Sequence, residues 1–204
     1  MASAAVLCRY RGTAPVRYWK PVQTGIEEDD DTAEVRRLAG CAHREVFERG
    51  VRLPRPLSPH LAARLSGQPI EVARLIDEVA CEPPSDRWVV EGAGGVLVPL
   101  NESELMADLL RVLQLPVLIV ARTTLGTINH TLLTIEALRA RSATVAGVLL
   151  VGHPSRDNRE AIEQFGRVAI VGELPLLEPL HPRALQEWAV TELDRAAHLE
   201  RWFQ

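Results

Sequence analysis

At 204 residues, 47% of them hydrophobic and 25% charged, the chain is long enough to bury one sizeable α/β core, and residues 1–204 are expected to form a single domain. Its net charge of −4 offers no basic stripe for nucleic acid, no apolar run reaches membrane-spanning length, and Arg9 and Arg11 follow the first apolar residues, against a secretory leader. Cys8, Cys41 and Cys81, widely spaced and odd in number, are expected to be reduced thiols packed inside a cytoplasmic protein.

In chain order, residues 3–11 form the back half of a helix with no strand before it. Strands are expected at 16–19, 88–90, 117–121, 145–151 and 168–174, each short and rich in β-branched residues, as strands covered on both faces are. Helical patterns lie between them at 31–39, 59–65, 71–79, 105–113, 129–139 and 159–165, with a last helix from 182 to about 201. Pro54, Pro56 and Pro59 stiffen one connection, and 82–86 is a loop. The alternation predicts an α/β fold, a mostly parallel sheet with helices on both faces and ligands at the carboxyl ends of its strands.

Lys20 is the only lysine in a chain that otherwise uses arginine for its long cationic side chains. It follows a strand and precedes Pro21, so its ammonium is expected at the carboxyl edge of the sheet, where a point charge would stabilise a phosphoryl group in transfer. Thr24 adds a hydroxyl and, with Gly25, a turn that lets backbone approach a ligand, although ordinary turn chemistry is the preferred reading of Thr24 in isolation. Asp29, Asp30 and Asp31 precede a helix; capping accounts for one of them, and three adjacent carboxylates suit Mg²⁺, which is usually held with phosphates by one or two protein carboxylates. One of the three is the expected ligand, and the others shape the field. Glu91 ends an apolar strand and is followed by Gly92, Ala93, Gly94 and Gly95, the position of a metal-side acid next to phosphate-approaching backbone. Gly126, Thr127, Ile128 and Asn129 open a helix whose free N–H groups favour a carboxylate or phosphate. His130 reads as a packed or capping residue. The other five histidines show no metal-ligand spacing.

These motifs, KPVQTG at 20–25, DDDT at 29–32, SPHLAA at 58–63, VEGAGGVLVPL at 90–100 and LGTINHTLLT at 125–134, with GVLLVG and GELPLL further on, resemble those of the dethiobiotin synthetases over nearly the whole chain. The resemblance implies a P-loop NTPase-like fold and a homodimer that joins 7,8-diaminononanoate and CO₂ at the expense of ATP, with Mg²⁺. It implies that Lys20 is catalytic and that Thr24 binds substrate. Asp31, or Asp30 if the register slips by one, and Glu91 would hold metal and ATP, while Gly92, Ala93 and Gly94 line the nucleotide and Pro175, Leu176 and Leu177 border its base. By the same resemblance Gly126, Thr127, Ile128 and Asn129 hold the substrate carboxylate across the subunit interface. No G-x-x-x-x-G-K-[ST] occurs in the 204 residues. Ser3-Ala-Ala-Val-Leu resembles the segment that follows that loop in the family, so a strand and loop of roughly 15 to 20 residues are expected upstream. The alternative is a catalytically dead dimeric binding protein of the same family.

Overall fold

The structure, a computed structural model, describes residues 1–12, 15–83 and 86–204, so the loop expected at 82–86 lies partly outside the described residues. Helix α1 (Ala2–Tyr10) buries Ala4, Ala5, Val6 and Leu7 and leads into strand β1 (Val16–Trp19). Tyr18 and Trp19 of β1 are both fully buried, yet they sit in different core clusters, because successive side chains of a strand leave on opposite faces. A strand buried on both faces needs helices on each. On the Tyr18 side the core is shared by α1, α2 (Asp31–Ala39) and α8 (Pro182–Thr191). On the Trp19 side it is built from α3 (Pro59–Ser66), α4 (Val72–Ala80) and α5 (Met106–Leu113).

Every ladder between named strands is parallel. β1 lies between β3 (Val46–Phe47) and β5 (Arg87–Val90), in a register that sets Trp19 opposite both Phe47 and Val90. Pro21, which has no N–H to give a ladder, interrupts the first strand. The chain then resumes as β2 (Val22–Thr24), which pairs with β4 (Val51–Leu53), Gln23 opposite Arg52. A second three-stranded ribbon runs β6 (Val117–Arg122), β7 (Val145–Val151), β8 (Ile170–Leu174). β7 is central and 146–150 are all buried, as its unbroken apolar run requires. Helices α6 (Thr127–Arg139) and α7 (Arg156–Gly166) supply Ile135, Leu138 and Ile162 to its core. Among the described residues β5 and β6 are each paired along one edge only.

Three expectations are corrected. The short strands β2, β3 and β4 were not foreseen, since two or three residues are too few to display an alternation. The last helix stops at Thr191 instead of near 201. Asp194 adopts φ +54 and is 1% exposed; its carboxylate accepts from the Tyr10 hydroxyl at 2.5 Å and from the His198 and Leu199 amides at 2.8 and 2.7 Å. That network folds the tail into turns and seats Phe203 flat on Tyr10, 4.2 Å between ring centroids. Of the cysteines only Cys41 is buried; Cys8 is half-buried, and Cys81 is exposed at the carboxyl end of α4, beyond that helix's buried Val72 and Leu75.

Candidate active site

β1 and β5 end side by side, and the Glu91 amide continues the ladder by donating to the Trp19 carbonyl at 2.8 Å. The residue that follows β1 is Lys20, so its side chain and that of Glu91 emerge together at the carboxyl ends of two paired strands. Lys20 is 5% exposed, and its Nζ lies 2.8 Å from Glu91 Oε1 and 2.7 Å from Asp31 Oδ2. One buried ammonium thus bridges two carboxylates from different elements. Burial pushes the Glu91 carboxyl up, but the Lys20 charge and hydrogen bond, with the Ser3 hydroxyl, outweigh it and hold the group below the ordinary carboxylate value.

The second Glu91 oxygen accepts from Ser3 of α1 and from the Tyr18 hydroxyl at 3.2 Å. Ser3 and Tyr18 were not singled out from the sequence. Tyr18 carried a usable signal, since it lies two residues before Lys20 and therefore shares its face of β1. Nothing in the local sequence pairs Ser3 with a residue 88 positions away.

The acidic triplet is sorted by its hydrogen bonds. Asp30 caps α2, its Oδ1 accepting from the Thr32 and Ala33 amides at 3.0 and 3.1 Å. Burial raises its carboxyl, yet these amides and the Gln23 carboxamide hold it below its ordinary value. Asp31, the first helical residue, is the one that reaches Lys20. Asp31 and Glu91 bring two hard carboxylate oxygens to one centre, a donor set that fits Mg²⁺ held jointly with phosphates. Arg52 of β4, opposite Gln23, donates to the Lys20 carbonyl at 2.7 Å; burial pulls its guanidinium below the ordinary value against the opposing influence of Asp30.

The remaining candidates are distributed around this centre. Thr24 ends β2, and Gly25 follows at φ +75, where an added Cβ would lie only 3.1 Å from Pro56 Cβ. Gly92 and Gly94 flank Ala93, which is buried in the Trp19-side core; Gly94 takes φ +73. Gly126, just before α6, takes φ +93, and a pocket of about 340 Å³ opens between that helix start and β6. Thr127 and Thr131, 6% and 2% exposed, line it, and their buried hydroxyl oxygens have no hydrogen-bond partner among the described residues. Pro175, Leu176 and Leu177 follow β8 at its carboxyl end. No hydrogen bond or ion pair among the described residues joins the 126–129 or 175–177 segment to the Lys20 cluster.

Parallel strands flanked by helices, with Lys20 and Glu91 at strand ends and Asp31 at a helix start, are consistent with an α/β protein of the P-loop NTPase-like class, and a family model described as an AAA domain matches residues 2–184. The ATP-dependent dethiobiotin synthetase of Agrobacterium fabrum is 45% identical over 183 residues, 90% of this chain and 84% of that protein. The enzyme of the same name from Brucella ovis is 44% identical over 182 residues, 89% and 82% of the two chains. The chain belongs to the ATP-dependent dethiobiotin synthetase family.

Proposed function

We propose that residues 1–204, acting as one domain, carry out the ATP- and Mg²⁺-dependent carboxylation and ring closure of 7,8-diaminononanoate to dethiobiotin in biotin synthesis. The observation that carries this reading is the buried Lys20 ammonium set between Asp31 and Glu91 at the ends of paired strands. CO₂ adds to one substrate amine to form a carbamate, whose oxygen takes the γ-phosphoryl group of ATP. The second amine then attacks the carbamate carbon and releases phosphate, closing the ureido ring and losing its proton. Lys20 stabilises negative charge on the carbamate and on the phosphoryl group in flight, where a preplaced cation has most effect. Thr24 hydrogen-bonds the substrate, and Gly92, Ala93 and Gly94 lie along the nucleotide, with Pro175, Leu176 and Leu177 at its base. Asp31 and Glu91 would hold Mg²⁺, which neutralises phosphate charge when bound. Gly126, Thr127, Ile128 and Asn129 would present the start of α6 to the substrate carboxylate of a partner subunit in a cytoplasmic homodimer. Among the described residues no helix is long and apolar enough to cross a membrane.

A second reading is a catalytically dead dimeric binding protein of the same family. Incubation with diaminononanoate, bicarbonate, ATP and Mg²⁺, read by mass spectrometry for dethiobiotin, separates the two when paired with calorimetric binding of diaminononanoate. Turnover supports the enzyme, binding without turnover supports the second reading, and neither result would remove both.

A further inference from the structure

We propose that Gln23 is a positioning residue for the site, a buried tie that fixes where α2 begins and so holds Asp31 against Lys20. The proposal rests on the roles given above to Lys20 and Asp31.

Gln23 lies in β2 and is fully buried, a place where a polar side chain costs free energy unless its bonds are made. All of them are made to one short segment. Its Nε2 donates to the Asp29 carbonyl at 3.3 Å and to Asp30 Oδ1 at 3.2 Å, and its Oε1 accepts from the Thr32 hydroxyl at 3.1 Å. The orientation of the amide is determined, because reversing it would turn its oxygen onto two other oxygens. One side chain therefore grips the residues before, at and after the cap of α2. The strand that carries it pairs with Arg52, the residue that also holds the Lys20 carbonyl, so both sides of the Lys20–Asp31 contact are tied to the β2–β4 ladder.

The leverage comes from helix geometry. Asp31 is the first residue of α2, its side chain is 41% exposed, and Lys20 is the only cation paired with it among the described residues. A helix turns about 100° per residue, so a start displaced by one position swings the carboxylate away from the ammonium. Without Gln23, the Asp30 cap would still accept two amides, but among the described residues no other strand side chain hydrogen-bonds the cap.

Lys20 being the sole lysine makes the test specific. Gln23→Met keeps side-chain length and apolar packing while removing the three bonds. Acylation of Lys20 by acetic anhydride, followed by peptide mass spectrometry that separates it from the terminal amine, reports opening of the clamp; amide exchange at Thr32 and Ala33 reports the helix start. In Gln23→Met both rates should rise on the order of tenfold. A variant that melts earlier but acylates at the wild-type rate would show Gln23 to be packing alone and overturn the proposal. Thr32→Val, which removes one bond, serves if Gln23→Met does not fold, with a smaller rise expected and no rise overturning the idea. If both variants loosen Lys20 while Lys20→Met leaves dethiobiotin formation unchanged, the positioning role stands and the catalytic reading of Lys20 fails.

Discussion

Lys20 shows how a single side chain can be structural and chemical at once. Its removal leaves Asp31 and Glu91 facing each other without a counter-charge, and breaking a buried pair from one side costs more than the pair contributes. Lys20→Met should therefore lose about 3 kcal/mol in denaturant unfolding and, wherever turnover is measurable, slow the chemical step on the order of 10² to 10³-fold with little change in nucleotide binding. A variant as stable as the parent would show that water already compensates the carboxylates. The tyrosines make a second prediction. Tyr10 and Tyr18 are the only two, both are buried, and burial, aided by Asp194 for Tyr10 and by Glu91 for Tyr18, raises both phenols above their ordinary value of 10.0. A folded-state pKa above the unfolded one favours the protonated, folded form: this stabilisation is complete below about pH 10 and declines as pH rises beyond it. Phenolate absorbance should stay flat as pH passes 10 and appear only with cooperative unfolding. A gradual rise in the folded protein would mean that at least one ring is wet.

Among the elements, the long strands and most helices were legible because each shows several periods of its pattern and carries a recognisable stop, such as Gly40 and Gly67 at φ +61 and +65 after α2 and α3. The end of α8 was not. The apolar pattern runs on past Thr191, and the reason the helix stops is a carboxylate, Asp194, whose partner Tyr10 is 184 residues away. Lys20, Asp31 and Glu91 were readable as site candidates from strand ends and a helix start. Their supports Ser3, Tyr18, Gln23 and Arg52 were not singled out, because a buried hydrogen bond between distant elements leaves no local period. Asp194→Ala would strip a charged acceptor from three donors at once. It should cost about 2 to 4 kcal/mol, somewhat more than one bond to a charged group, and release the tail, visible as faster exchange of the His198 and Leu199 amides. Unchanged exchange there would assign the tail's order to the Tyr10–Phe203 stack instead.

At the scale of the whole molecule, the parallel ribbons β3-β1-β5 and β6-β7-β8 meet through side chains: Val89 of β5 and Leu118 of β6 pack against the same core beneath α1 and α8. Their outer backbone groups on β5 and β6 form edges of the kind that recruit other strands. Val120, 51% exposed on β6, is the natural place to blunt one. Val120→Lys should reduce light scattering on warming without lowering the melting midpoint, and equal scattering would mean that this edge is not where chains associate. The division between ribbons also bears on occupancy. Lys20 and Glu91 stand at the strand ends of the first, with Asp31 paired to Lys20, whereas the 175–177 segment follows β8 of the second. A molecule gripped from both sides would act as a clasp across the seam, its concentration setting how often the two halves part as well as how many sites are filled.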